Sequence, residues 1–553
     1  MDAQPLVDSP TEARSTLSAM KRVLPPLTTS MVETVAIAHG VCVNPVPLRR
    51  IDPDTGQSTI VDVPCGATST SKCPPCADRA KLLRMQQCRQ GWHLEAEPVV
   101  EAQDPTAEQA ELTVMRADLQ AALVQAQERG LPTEPIGEAI EDIERQLAET
   151  GARGKAVPSE RRRRTRSTKR RQDVPGLPRR KVAPTTIGRA YTARDGKVFR
   201  PSIFLTVTAR SYGRVDKYGV PRNVDAYDYR TAARDAIHFP ALVDRYFQNL
   251  RRVVGFEVQY FGALEPQRRL APHLHVALRG TIARKDLRLV AAATYLQVWW
   301  PSTDEVIFPD QHLPVWDGVA ETYVDPDTGG VLPTWDEALD AIGEGGEAEP
   351  QHVVRFGTQL RAEGVLSGSP EADRCIRYLV KYLNKSIDTC HEADTDAERE
   401  HMRRLWEAMR YEPCSPTCSN WLRYGVQPQN AKPGQLPGCC RGKAHRHETL
   451  GFGGRRVLTS RKWCGKTLAD LKAERREWVR AVLGLPEDAD PKRYVWVQAS
   501  PSDPDVRTKE ERLLLGIAAR SRWHDELEAA KAAAKGAQPP TATEDSSTTS
   551  TAA

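Results

Sequence analysis

The sequence predicts an α+β protein in which a central antiparallel β-sheet is flanked by helices, and three observations carry that expectation. SIFLTVTAR (202–210) alternates along its length, with Phe204, Thr206 and Thr208 on one side and Leu205, Val207 and Ala209 on the other. Two further strand-like runs follow at GFEVQYFGALE (255–265) and HLHVALRG (273–280). Helical periodicity comes in separate blocks at 231–252 and 374–386 rather than between every strand pair, which argues against a regular parallel α/β sheet.

The elements divide the chain into seven stretches. Residues 1–60 show little pattern beyond a short helix near 11–24. Residues 61–95 read as a cysteine-bearing turn leading into a helix, a candidate zinc-binding module. Residues 96–187 combine an acidic arm with leucines at helical spacing, either a helical hairpin or partly disordered, and a basic, proline-dotted linker. Residues 188–400 hold the sheet-forming motifs, with 301–350 (containing VDPDTGGVLPTWDE) as an insertion and a break expected at Pro240 in the first helix. A cysteine-rich accessory region (401–485), a helical extension (486–535) and a polar tail (536–553) of disordered composition complete the chain.

At 553 residues the chain is too long for one compact domain. It holds no run of about 18 apolar residues of the kind that spans a bilayer. Its N-terminus has no basic stretch leading into an apolar core, so a cytoplasmic location is expected. The formal net charge of +5 says little, but its distribution says more. ERRRRTRSTKRR (160–171) concentrates Arg161, Arg162, Arg163, Arg164, Arg170 and Arg171, a run that attracts phosphate backbones whatever their sequence.

The twelve cysteines cluster toward the two ends, and in a chain without an export signal such clusters favour metal over disulfides. CGATSTSKCPPC gives C-x7-C-x2-C, so Cys65, Cys73, Cys76 and Cys88 form one candidate zinc set. Cys414 and Cys418, with Cys439 or Cys440 and with His445 or His447, form a second at a looser spacing. CGKT (464–467) has the ending of a phosphate-binding loop, but Ser460 stands where the earlier glycine is required, so no NTPase activity is expected.

The central motif is APHLHVALRG (271–280). On a strand, His273, His275 and Arg279 share one side while Leu274, Val276 and Leu278 share the other. Two adjacent imidazoles can offer two nitrogens to one cation. Glu265 lies eight residues upstream across PQRRLAP, a connection able to turn the chain so that a carboxylate joins them. Mixed nitrogen and oxygen ligation with positions left open suits Mg²⁺ or Mn²⁺ acting on phosphate, not a closed structural zinc. In RYLVKYLNKS (377–386), Tyr378 and Tyr382 share a helix face, with Lys381 and Lys385 beside them and Leu379 and Leu383 opposite. Cations beside a phenol favour its ionised, nucleophilic form.

FLTVTAR, EPQRRLAPHLHVALRG, RYLVKYLNKS and PCSPTCSNWLRYGVQPQNAKPG together resemble the HUH endonucleases, specifically the RepSA-type rolling-circle replication initiators of actinobacterial plasmids and integrative elements. The resemblance covers most of 188–485. It implies a HUH-type sheet with His273 and His275 binding the catalytic metal, Glu265 as third ligand and Glu257 as a weaker alternative. It implies Tyr382 as nucleophile, because YLNK matches the family's Y-x-x-K pattern, and Tyr378 as a second nucleophile or a helper. The implied reaction nicks and rejoins origin DNA, single-stranded or cruciform at the nick site, through a 5′-phosphotyrosine. Host helicase and DNA polymerase are the implied partners, and Arg279 joins the basic run as an expected DNA contact. A transposase or relaxase of the same chemistry, and a non-catalytic zinc-dependent DNA-binding regulator, are the alternative expectations.

Overall fold

In a computed structural model, the described residues are 28–98, 104–150, 168–169, 177–188, 190–196, 198–344, 349–381, 393, 395–483, 494–500 and 502–536. The tail beyond 536, the possible helix near 11–24, and Arg161, Arg162, Arg163, Arg164, Arg170, Arg171, Tyr382, Leu383 and Lys385 fall outside them.

Chain order begins with helix α1 (Thr29–Ala38), strands β1 (Val46–Ile51) and β2 (Ser58–Val63), and helix α2 (Pro74–Trp92). The acidic arm folds as a helical hairpin, α3 (Ala107–Glu128) and α4 (Glu134–Glu149), tied by Arg116 to Glu144 at 3.4 Å. Short strands β3 (Thr168–Lys169), β4 (Tyr191–Thr192) and β5 (Val198–Phe199) lead into β6 (Pro201–Ala209) and the long helix α5 (Tyr229–Val254). Then come β7 (Tyr260–Pro266), β8 (Pro272–Arg279), α6 (Arg284–Ala293), β9 (Tyr295–Val298), β10 (Val315–Asp317), β11 (Thr322–Val324), α7 (Trp335–Glu344) and β12 (His352–Leu366). Helices α8 (Pro370–Val380) and α9 (Asp396–Arg410), strand β13 (Val457–Thr459), helix α10 (Leu468–Leu483), strand β14 (Val495–Gln498) and helix α11 (Lys509–Gly536) follow.

The expected antiparallel sheet is present: seven strands in the order β13-β7-β8-β6-β12-β9-β3, each pair antiparallel. One face carries Leu205, Val207, Leu274, Val276 and Leu278 and packs on α5 through Phe239, Leu242, Tyr246 and Leu250, all essentially buried. The other carries Phe261, Ala277 and Val365 against α2 and α8, with Trp92, Ile376, Leu379 and Trp463 filling the space. The sheet is therefore helix-covered on both sides, and the histidine side of β8 faces α8.

The expected break at Pro240 does not occur, and α5 continues through it. An interior proline costs about 3 kcal/mol, whereas burying one large apolar side chain contributes about 1.5–3 kcal/mol. After the proline, α5 still buries Leu242, Val243, Tyr246, Phe247 and Leu250, so packing outweighs the local cost. The long strand β12 is not foreseen by alternation, because a register irregularity between Phe356 and Leu360 breaks its period. It pairs with β6 and completes the sheet centre.

Segments near the two ends of the described residues meet. β14 pairs with β1, which pairs with β2, and Leu513 of α11 is buried against Val32 and Ala36 of α1. Lys509 reaches Glu33 at 2.6 Å and Arg49 reaches Asp503 at 2.8 Å across the same junction. α1, β1, β2 and the N-terminal end of α2 thus pack with β14 and α11, while the rest of α2 runs on to the central sheet. Within the insertion, Phe308, Tyr323 and Leu332 pack on Leu422 of the cysteine-rich region. Among the described residues, no helix is long and apolar enough to cross a membrane.

Candidate metal centre and tyrosine site

Strand register assembles the site. β8 lies between β6 and β7, with His273 opposite Glu265 and Thr208, and His275 opposite Ala263 and Thr206. Because side chains alternate, Glu265, His273 and His275 all project from the face turned away from α5. The PQRRLAP connection turns tightly, with the Gln267 N–H donating to the Ala271 carbonyl at 2.8 Å and Leu270 in the left-handed region at φ 61°. That turn places the carboxylate beside the imidazoles: one ligand atom from each of Glu265, His273 and His275 lies within 4.8 Å of the others. The two Nε2 atoms are 2.7 Å apart, with the rings edge-to-face.

The donor set fits a divalent cation. Thr206 Oγ1 stands 2.9 Å from His275 Nδ1, which fixes the ring with Nε2 aimed at its neighbours. Phe204 stacks on the same ring. Burial pulls His275 down to about 4, so the imidazole is neutral near pH 7, the form that ligates. Burial pushes Glu265 up to about 7, against the lowering influence of Arg456 and Lys381. Its anion is costly in this environment unless a cation joins it. Glu257 pairs instead with Lys462 at 2.9 Å and is not part of the cluster.

α8 begins with Ser369 accepting from the Ala372 N–H, with Pro370 opening its first turn. It buries Ala372, Ile376, Leu379 and Val380 against the sheet. This docking leaves Tyr378 partly exposed, with its hydroxyl 3.2 Å from His275 Nε2 and its ring packed edge-on to Phe204 and His275. Lys381 follows at the end of the helix, close enough to influence Glu265.

Both cysteine regions gather, with altered membership. The first cluster is Cys42, Cys65, Cys73 and Cys76, not the set containing Cys88. Cys73 lies 3.7 Å from Cys42 and Cys65 lies 3.8 Å from Cys76, sulfur to sulfur. Cys88 sits further along α2, fully buried with Trp92, Phe261 and Trp463, and acts as a core residue. Cys42 carries no spacing signal: it stands 23 residues before Cys65 and outside any C-x2-C. The second cluster is Cys414, Cys418, Cys440 and His445; Cys439 is exposed and outside it, and His447 packs near Trp406.

Arg279 shares the histidine face as expected but does not reach solvent. It is 4% exposed, and its guanidinium donates to the Gly91 carbonyl at 2.8 Å and to the Trp463 carbonyl. Its expected role as a DNA contact is therefore replaced by a structural one, joining β8 to α2 and to the segment before α10. Thr206, as the positioning partner of His275, and Arg456, as a cation near Glu265, are site residues that the motifs do not single out. Alternation places Thr206 on the correct face, whereas nothing in the sequence links residue 456 to residue 265.

No match is found among curated proteins or among solved structures. A family model described as "Replication initiator protein, pSAM2" matches residues 28–519, taking in the sheet, the Glu265–His273–His275 cluster, Tyr378 and both cysteine clusters. The chain belongs to this RepSA family of replication initiator proteins.

Proposed function

We propose that the protein nicks and rejoins plasmid origin DNA by tyrosine transesterification and so starts rolling-circle replication. One observation carries this reading: a His-His-Glu cluster with a tyrosine hydroxyl 3.2 Å from one of its ligand nitrogens. Glu265, His273 and His275 would hold Mg²⁺ or Mn²⁺, which when bound polarises the scissile phosphate. With His275 Nε2 committed as a ligand, Nδ1 carries the proton and donates to Thr206 Oγ1, which keeps the ring from rotating. Lys381 adds positive charge beside the site and offsets the charge of the phosphate as the tyrosine attacks.

The tyrosine oxygen forms a bond to phosphorus as the bond to the 3′-oxygen breaks, leaving a 5′-phosphotyrosine and a free 3′-OH. One phosphodiester replaces another, so rejoining requires no nucleotide hydrolysis. The family's motif points to Tyr382 as nucleophile, and the position of Tyr378 against His275 supports its use as a second nucleophile or a helper. Host helicase and polymerase would unwind the duplex and extend the 3′-OH. The two cysteine clusters would each hold a structural Zn²⁺, consistent with four sulfur or nitrogen donors apiece.

Incubation of the full chain with a labelled single-stranded origin oligonucleotide and Mn²⁺ tests the reading. A covalent protein–DNA species is expected, and plasmid maintenance by the same protein separates an initiator from a transposase or relaxase. Absence of any covalent species would refute the enzymatic reading and leave a DNA-binding regulator.

A further inference from the structure

A groove of about 450 Å³ lies between the two cysteine-bearing regions. It is lined by the Cys65 loop and α2, by residues 443–449 and α10, and by the segment entering β13. Such a volume is in the range of a small-ligand site, about 300–1,000 Å³, and far exceeds the roughly 30 Å³ taken by one water. It is a binding-sized space and not a packing defect.

Its lining is strongly one-signed. Lys81, Arg84, Lys443, Arg455, Arg456 and Lys472 face it, and Glu448 is the one acidic residue among its lining residues. The cations come from four separate segments, so the sequence run at 160–171 does not account for them. Neighbouring cations add to the effect of burial at two positions. Burial and then Arg455 pull Arg84 below its ordinary range, and burial and then Arg456 and Arg446 do the same to Lys443. Cations that converge from distant segments around a single carboxylate repel one another, and a polyanion relieves that repulsion.

The groove borders the strands that carry the metal centre. The Arg456 carbonyl accepts from the Leu264 N–H at 2.9 Å, one residue from Glu265, and Val457 pairs with Ala263, directly opposite His275 on the next strand. Arg456 therefore belongs both to the groove lining and to the electrostatic surroundings of Glu265.

We propose that this groove seats the phosphate backbone of a single DNA strand and delivers it to the Glu265–His273–His275 site, with the cysteine-bearing regions as its walls. This rests on the DNA-nicking reading above and adds the path of the substrate. A single strand is favoured over a duplex because the space is of small-ligand size. Sequence-independent affinity then depends on these cations through counterion release.

The test is fluorescence anisotropy with a labelled oligothymidylate and with a duplex of equal length, titrated over a range of salt. The full-length variant Lys81→Gln/Arg84→Gln/Arg455→Gln/Lys472→Gln is compared with wild type and with a control neutralised on α6 at exposed Arg284, Lys285 and Arg288. The salt slope for the single strand is expected to fall by about 0.7 for each phosphate that the groove no longer neutralises, which at about 0.1 M salt is about fivefold in affinity per phosphate. The α6 control should keep the wild-type slope. The single substitutions Lys81→Gln and Lys472→Gln, checked by thermal melting, supply the same comparison if the quadruple variant unfolds. An unchanged single-strand slope, or a reduction confined to the duplex, overturns the proposal. Covalent adduct formation by wild type is scored separately. Adduct with an unchanged slope rejects the groove and keeps the nuclease, while a reduced slope without adduct rejects the nuclease and keeps the groove as a nucleic-acid site.

Discussion

Glu265 retains its proton to about pH 7 because burial disfavours its anion. Relative to an ordinary 4.5, the folded metal-free protein holds a proton that the unfolded chain has released, so this residue lowers stability as pH rises from about 4.5 to 7. His275 acts in the opposite sense. Its value of about 4, against an ordinary 6.5, means that its contribution is lost as pH falls from 6.5 toward 4. A divalent ion competes with the Glu265 proton, so the Mn²⁺-induced rise in melting temperature should grow between about pH 6 and pH 8. Glu265→Gln should flatten that growth, and a pH-independent shift in the wild type would contradict the assignment. Thr206→Val removes the partner of His275 Nδ1; a decrease of about 1 kcal/mol in stability and of about 10–100-fold in Mn²⁺ affinity is expected by denaturation and by titration. The histidines and Glu265 are legible in the sequence because strand alternation and an eight-residue return fix their relation. Thr206 is legible only as a face, since register decides which histidine it meets.

At the scale of elements, β8 serves two purposes along one face: His273 and His275 toward α8, then Arg279 toward α2. Alternation reveals the shared face but not what covers it, which depends on where α2 and Trp463 dock. Arg279→Met should therefore destabilise the fold by about 1–3 kcal/mol for each carbonyl left without its donor, measured by urea unfolding. The salt slope of DNA binding should stay at the wild-type value; a reduced slope with unchanged stability would restore Arg279 as a DNA contact. The strands β6, β7 and β8 and the part of α8 from Arg374 onward are visible in the sequence through clean periodicity. β12 escapes because its irregularity destroys the period that reveals strands, and α5 runs through Pro240 because packing outweighs a local preference.

For the whole molecule, the joining of β1 to β14 is the least legible feature. The pairing of Val46–Ile51 with Val495–Gln498 joins segments from opposite ends of the sequence, and nothing local specifies it. The same closure explains Cys42, which enters the first cysteine cluster because α1 and α11 hold its loop against α2. Full-length protein should carry two zinc ions by elemental analysis, one for each four-donor cluster. Cys42→Ser should reduce the count to one, whereas Cys88→Ala and Cys439→Ser should leave it at two; a fall in zinc with Cys88→Ala would restore the spacing-based set. Covalent capture of a labelled single-stranded origin oligonucleotide in Mn²⁺ is the most direct test of the whole account. A covalent species should form with wild type and disappear in His273→Ala and in the Tyr378→Phe/Tyr382→Phe double variant. No species with wild type, or one that persists in the double variant, would contradict it.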